Sequence, residues 1–468
     1  MQFSRQLFYI LGVSSIVCLV GCSSIDDAYA HSGYTIPEGW IGKNDQRPSL
    51  GDSTWIDYLS ENEPLQALIK KGLESNYNLS IAQSRMRLAG AELKAIKPNR
   101  LPSINGQLQG IRAKSISPLP VVNTEPEISN DYSLSFALNW ELDLWGKLHN
   151  EKQSRFFNYQ AAKADFKFAQ ISLASQIAKL WLNIMHAKGQ VQLSEQILEA
   201  YTHIEQSMKE RYISGLVSAE DYLNVQSSKE ALQEEQLTLK KQSEVLTRSL
   251  EILLGDYPSG QSITYTPLPD FKTHIPSNLP SDLLLNRPDI VSAEKRIQSA
   301  KALVKSAQKQ RFPRIQLTGT YGNASDALKN LLDSDLTLWS VGTGITQPLI
   351  NHGTIKAGIE QTKARFSEAE AYYNQTVLNA FSEVENALSN ESYLSRERHS
   401  NDQQLKQARE IARINKESYI NGHGDFLTLM NAFINVLNAE RMHLQIKRSQ
   451  LENRIQIYHA LGESFVES

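Results

Sequence analysis

A chain of 468 residues with a formal net charge of −3 is too close to neutral to hold nucleic acid by bulk basicity. It is 41% hydrophobic and 21% charged, and its two cysteines, Cys18 and Cys22, exclude a disulfide scaffold and a thiolate zinc site. A bundle of transmembrane helices is excluded too, because the one apolar run that could address a membrane, Leu7 to Gly21, falls short of the roughly 20 residues that a spanning helix needs.

That run reads as an address. Arg5, a short apolar core and small residues at its exit describe a secretory signal peptide over residues 1–21. Leu19-Val20-Gly21-Cys22 resembles the bacterial lipobox, which implies that Cys22 is acylated and becomes the first mature residue. Ordinary cleavage after Ala28-Tyr29-Ala30 is the competing reading, but that site lies beyond Asp26 and Asp27, away from the apolar core. A lipid there adds an anchor and not a span. In families that sort lipoproteins, Ser23 after the cysteine implies export to the outer membrane.

The mature chain repeats itself. Arg211-Tyr212-Ile213-Ser214-Gly215 returns as Ser418-Tyr419-Ile420-Asn421-Gly422, a spacing of 207, which also relates Gly146 to Gly353 and Leu254-Gly255 to Leu461-Gly462. Leu101-Pro102-Ser103-Ile104 matches Phe312-Pro313-Arg314-Ile315 at a spacing of 211, as do Ala82 and Ala293, Arg85 and Arg296, and Arg100 and Arg311. The expected organisation is a lipidated extended segment (22–63), a first repeat (64–257), a proline-rich linker (258–283), a second repeat (284–462) and a tail (463–468).

Each repeat is expected to run helix, strand, strand, long helix, helix. Residues 146–213 and 353–420 contain no proline, and stripes such as Leu173, Ile177, Leu180 and Ile184 recur at helical spacing. A helix of that size would be about 100 Å long, far beyond an ordinary globular core. Met430, Leu437, Leu444, Leu451 and Tyr458 form a heptad in the last helix, which calls for coiled-coil packing. The strands are two-faced. Tyr132, Leu134, Phe136, Leu138, Trp140 and Leu142 alternate with Ser133, Ser135, Ala137, Asn139 and Glu141. Ile104 and Leu108 behave likewise, as do Ile315, Leu317 and Tyr321, and then Trp339, Val341, Thr343 and Ile345. Such lengths and alternation suit tilted transmembrane β-strands, and equally a half-buried sheet in a soluble domain. If the strands lie in lipid, four are too few to close a barrel, and three copies would supply twelve.

Two motifs then carry a resemblance. Trp140-Glu141-Leu142-Asp143-Leu144-Trp145-Gly146-Lys147 resembles the strand-to-helix signature of TolC-like outer membrane factors. Leu279-Pro280-Ser281-Asp282-Leu283-Leu284-Leu285-Asn286-Arg287-Pro288-Asp289-Ile290, followed by Ala293-Glu294 and Phe312-Pro313, is similar to the lipoprotein branch serving resistance-nodulation-division efflux pumps. The resemblance spans about Trp55 to Gly462. It implies a mixed α/β membrane protein: a homotrimer with a twelve-stranded outer-membrane β-barrel, four strands per chain, continuous with a long periplasmic α-helical coiled-coil barrel. It also implies a periplasmic membrane-fusion adaptor and an inner-membrane pump as partners, and outer-membrane lipid around the barrel. The expected role is a passive exit duct for drugs or other small molecules in a Gram-negative bacterium. A type I protein-secretion duct and a non-channel coiled-coil lipoprotein are the alternatives.

No enzyme is expected: there is no GxxxxGK[ST] and no HExxH, the ten histidines lack metal-ligand spacing, and no cofactor or metal is anticipated. Gly342-Thr343-Gly344 sits in a strand pattern and reads as close backbone packing. Export energy would then come from a partner.

The turns near Gly215 and Gly422 should mark the periplasmic tip, since glycine at a helix C-terminus supplies a left-handed turn. Glu220, Asp221 and Asp425 stand close by in sequence. In a trimer each becomes a ring of three like charges suited to selectivity and opening, although an acid there also suits the start of a helix. The resemblance implies that Asp221 bonds Tyr419 of a neighbouring helix pair to hold the closed state. Gly424 departs from a basic residue found in some members, and Thr428 and Asn431 depart from acids of the constriction; Asp425 is the expected substitute.

Overall fold

The computed structural model describes residues 62–96, 101–115, 127–261, 263–269 and 287–462. The signal peptide, Cys22, the segment as far as residue 61, Arg100, residues 270–286 of the linker and second motif, and the tail from 463 lie outside them.

Asn62 opens α1 (Glu63–Ser75) by accepting a hydrogen bond from the Leu65 N–H at 3.0 Å, and Pro64 occupies the first turn, where no N–H is needed. The helix breaks at Asn76, whose backbone turns extended (φ −69°, ψ 127°). The Asn76 carboxamide accepts from the Leu79 N–H at 3.0 Å and donates to the Leu253 carbonyl at 2.9 Å. A second helix, α2 (Tyr77–Ile96), starts from that cap. The first half therefore opens with two helices where one was expected, because a tertiary bond holds the break.

The strands β1 (Ser103–Ser115) and β2 (Glu127–Leu142) follow, then α3 (Lys147–Ile213) and α4 (Ala219–Leu253). The second half gives α5 (Pro288–Lys309), β3 (Arg314–Ser325), β4 (Thr337–Thr346), α6 (Thr354–Ile420) and α7 (Phe426–Leu461). Both long helices contain 67 residues, so each is about 100 Å long. The glycines matched by the 207-residue offset all adopt left-handed backbone: Gly146 and Gly353 (φ 77° and 83°), Gly215 and Gly422 (73° and 78°), Gly255 and Gly462 (74° each). An L side chain rarely tolerates that conformation, which explains why both copies keep glycine at every helix boundary of this kind.

The strands form one antiparallel sheet in the order β1-β2-β3-β4. Its register aligns residues of like polarity. Ile104, Leu138, Gly319 and Val341 share one row, and Gly106, Phe136, Tyr321 and Trp339 another. One face is thus apolar and aromatic, while Gln107, Ser135, Asn139, Thr318, Thr320 and Ser340 line the other. Phe136 covers Gly106, where an added Cβ would lie 3.3 Å from the ring, and Tyr132 covers Gly110 in the same way at 3.2 Å.

Among the helices, α3 packs against α4 and α7, and α7 against α6; toward the sheet α3 packs against α2 and α5, and α5 against α6. The margins of the chain are therefore α4 and α2 on one side and α6 on the other. A belt core joins Leu65 and Ile69 of α1, Ile177, Trp181 and Met185 of α3, Leu250 of α4 and Ile455 and Tyr458 of α7. The heptad of α7 runs along this seam: Met430 and Leu437 enter an apolar cluster at the far end, and Leu444, Leu451 and Tyr458 enter the belt. No helix among the described residues is long and apolar enough to cross a membrane.

Candidate functional site

At the strand-to-helix junction, Asp143 accepts from the N–H groups of Leu148 (3.0 Å) and His149 (2.7 Å), satisfying two orphan donors of the first turn of α3. Trp145 stacks on Phe312 with centroids 5.0 Å apart, and its indole N–H donates to the Pro313 carbonyl at 2.8 Å. Lys147 pairs with Glu141 at 2.9 Å. The first motif thus meets the Phe312-Pro313 of the second repeat, so the two matched regions brace each other where the sheet gives way to helices.

Deeper in the helical region, α3 and α7 share a polar layer in which Asn183 bonds Glu452 (2.6 Å) and Arg448 (2.5 Å). One turn along α3, burial and the nearby Arg448 charge push the His186 imidazole down to about 4. The folded chain therefore keeps this ring neutral while the unfolded chain takes up its proton near the ordinary value of 6.5. Stability from this site is complete above about pH 6.5 and is lost as the pH falls toward 4. Unfolding measured between those values should show the wild type losing about 2 kcal/mol more than His186→Gln does, the remaining loss coming from groups such as His459, which burial also holds below its ordinary value. An identical slope in the variant would remove His186 as its source.

The tip is built by the two helix turns. α3 ends on Ser214, with the Gly215 and Leu216 N–H groups donating back to the carbonyls of Tyr212 and Arg211. α6 ends on Asn421 in the same way, with Gly422 and His423 donating to Tyr419 and Ser418. Between them lies an apolar cluster of Ile197, Tyr201, Met208, Val225, Phe426 and Met430, against which Val217, Tyr222 and Tyr419 pack. Tyr212 stacks on Tyr222 at 5.8 Å.

The acids near these turns have local partners. Asp221 completes a capping box: the Ser218 N–H donates to its carboxylate at 3.3 Å and the Asp221 N–H donates to Ser218 Oγ at 3.0 Å, while Ser218 Oγ also donates to the carboxylate at 2.7 Å. Asp425 caps α7 by accepting from the Thr428 N–H at 3.0 Å and from its hydroxyl at 3.2 Å. Glu220 is exposed in the first turn of α4, and Asn431 is exposed on α7. No hydrogen bond joins Asp221 to Tyr419 within one chain. Tyr419 instead lies against Phe426 (5.8 Å) and beneath the guanidinium of Arg211, 5.1 Å from the ring centroid. Gly424 has a steric reason to lack a side chain, since a Cβ would fall 2.8 Å from the Tyr419 backbone nitrogen. Arg211 escaped sequence reasoning because its only local signal is a basic residue in the last turn of a helix, common for dipole reasons alone. Among the described residues no group of His, Cys, Asp and Glu could hold a metal ion.

A four-stranded sheet with one apolar face is prolonged into two pairs of long helices that end in a shared tip. The outer membrane efflux protein family matches residues 68–256 and 279–463, and the chain belongs to that family. The solvent efflux pump outer membrane protein SrpC of Pseudomonas putida is 25% identical over 465 residues, covering 97% of this chain and 98% of that protein. Outer membrane protein OprJ of Pseudomonas aeruginosa is 27% identical over 428 residues, covering 90% and 89%. The solved structure of the outer-membrane channel OprN matches with a TM-score of 0.83 at 26% identity, over 92% of this chain and 98% of that one. The chain is accordingly the outer-membrane exit component of an efflux system.

Proposed function

We propose that three copies close a twelve-stranded barrel and a continuous helical tunnel, through which drugs or other small molecules leave the periplasm passively. The observation that carries this reading is the open sheet: among the described residues β1 and β4 are unpaired edges, which lipid does not tolerate. The β1, α2 and α4 margin of one copy meets the β4 and α6 margin of the next, a head-to-tail contact that a threefold rotation closes into a ring. Leu223, Leu237 and Ile252 of α4 and Tyr393 and Ile411 of α6 are exposed apolar residues on those margins that such a ring would cover.

The tip presents Ile213, Leu216 and Ile420, which are 74%, 75% and 70% exposed. This apolar patch supports docking of a periplasmic adaptor, through which an inner-membrane pump supplies the energy; the chain itself does no catalysis. Cys22 tethers the N-terminus to the outer membrane by its lipid. Rings of Glu220, Asp221 and Asp425 favour cations at the closed tip, and Asp221 with Tyr419 of a facing helix pair holds it shut.

Purified protein in planar bilayers should yield cation-preferring pores from a heat-modifiable trimer. Deleting its gene or that of its pump should raise cellular accumulation of the same dyes and antibiotics. A protein that stays monomeric without detergent and forms no pore would defeat the duct reading; accumulation unchanged in both deletions would defeat the efflux cargo.

A further inference from the structure

The two helix pairs of one chain are free to separate at the tip only if the contacts between them break. The acids there are bonded within their own first turns, Asp221 to Ser218 and Asp425 to Thr428. Among the described residues, what crosses from one pair to the other is the apolar cluster, the Arg441–Glu235 ion pair at its upper end (2.8 Å) and, at the tip itself, the guanidinium of Arg211 on α3 above the Tyr419 ring on α6. Tyr419 in turn lies against Phe426, whose side chain is buried in that cluster. Arg211 follows the last core residue of α3 at the tip, Met208, by less than one turn, so its position is set by packed helix and not by a loop.

We infer that Arg211 is a positioning residue of the closed tip, acting as a cation–π latch that ties the α3–α4 turn to the α6–α7 turn through the Tyr419 ring. This rests on the duct reading above and adds to it a contact inside each subunit. It requires the aromatic face of Tyr419 and is indifferent to its hydroxyl. A bond from Asp221 of the facing helix pair requires the hydroxyl instead. The two devices therefore part at a single atom.

The test is single-channel recording in planar bilayers of the full-length trimer, four single variants and one double variant. Arg211→Gln and Tyr419→Leu should each raise the open-to-closed ratio by roughly 2- to 30-fold, the range of a partly desolvated cation–π contact. Arg211→Lys should stay near the wild type because the charge survives, and Tyr419→Phe should open by less than Tyr419→Leu, since it loses the hydroxyl that faces Asp221 but keeps the ring beneath Arg211. The double variant Arg211→Gln/Tyr419→Leu should open no further than Tyr419→Leu alone, since the contact with Arg211 is already lost. Heat-modifiable trimer in every variant confirms assembly, and the conservative pair keeps the test valid if a disruptive variant fails to assemble. Tyr419→Phe opening while Arg211→Gln stays shut would overturn the latch and leave the duct standing; no pore from the wild type would sink the duct itself.

Discussion

Replacing Arg287 with alanine is expected to cost about 3–5 kcal/mol per chain, the usual loss when one partner of a buried ion pair is removed. Arg287 is 1% exposed at the start of α5. Its Nε and one terminal nitrogen grip both oxygens of Asp289, at 3.1 and 2.8 Å. The other terminal nitrogen donates to Glu383 of α6 at 2.9 Å and to the Ala460 carbonyl near the end of α7 at 2.7 Å. Burial works against the guanidinium charge, but hydrogen bonding and attraction from Asp289 and Glu383 more than offset it and raise its pKa above the usual arginine value. Three helices thus converge on one planar fork, and Gly462 turns so close behind it that a Cβ would meet the Arg287 stem at 3.0 Å. Urea unfolding in detergent should show the loss for Arg287→Ala, with Arg287→Lys intermediate because an ammonium cannot reproduce the bidentate geometry. Adding Asp289→Asn to the alanine variant should recover part of the loss by removing the less solvated of the two carboxylates left behind, 19% exposed against 36% for Glu383. An alanine variant within about 0.5 kcal/mol of the wild type would show that the clamp carries no stability.

This clamp also marks where sequence reading stops. The Arg287-Pro288-Asp289 stretch is conspicuous as a family resemblance, yet nothing local tells that its third helix contact is Glu383, 96 residues further on. What was legible follows from periodicity and duplication. The proline-free spans at 146–213 and 353–420 became helices Lys147–Ile213 and Thr354–Ile420, bounded by the left-handed turns at Gly146, Gly215, Gly353 and Gly422. Strict alternation also located the strands, and the register put the apolar sets of all four on one face. The break at Asn76 was not legible, since the Tyr77–Ile96 pattern continues smoothly from the helix before it and the stop comes from the Leu253 carbonyl. At the tip the sequence pointed to acids, which are easy to see as charges near a turn. Their capping roles are equally local, whereas the Arg211–Tyr419 contact depends on how two distant turns come together.

The face of the sheet gives the other large expected effect. Val341 lies in the middle of β4, 79% exposed in the single chain, in the row of Ile104, Leu138 and Gly319. If that row faces hydrocarbon, Val341→Arg places a cation near the bilayer midplane at a cost of about 2–4 kcal/mol in every copy. A closed ring feels this three times over, so the variant should fail to yield heat-modifiable trimer in outer-membrane fractions. Asn139 is in the row of Ser103 and Thr318 on the opposite face. Asn139→Arg should assemble normally and shift the pore from cation toward anion preference, because its charge then lines water instead of lipid. The reversed pattern, with Asn139→Arg lost and Val341→Arg assembled, would turn the barrel inside out. Normal assembly of both would mean that neither face meets hydrocarbon, since a soluble sheet accepts an exposed arginine on its surface at a cost of about 0.5 kcal/mol or less.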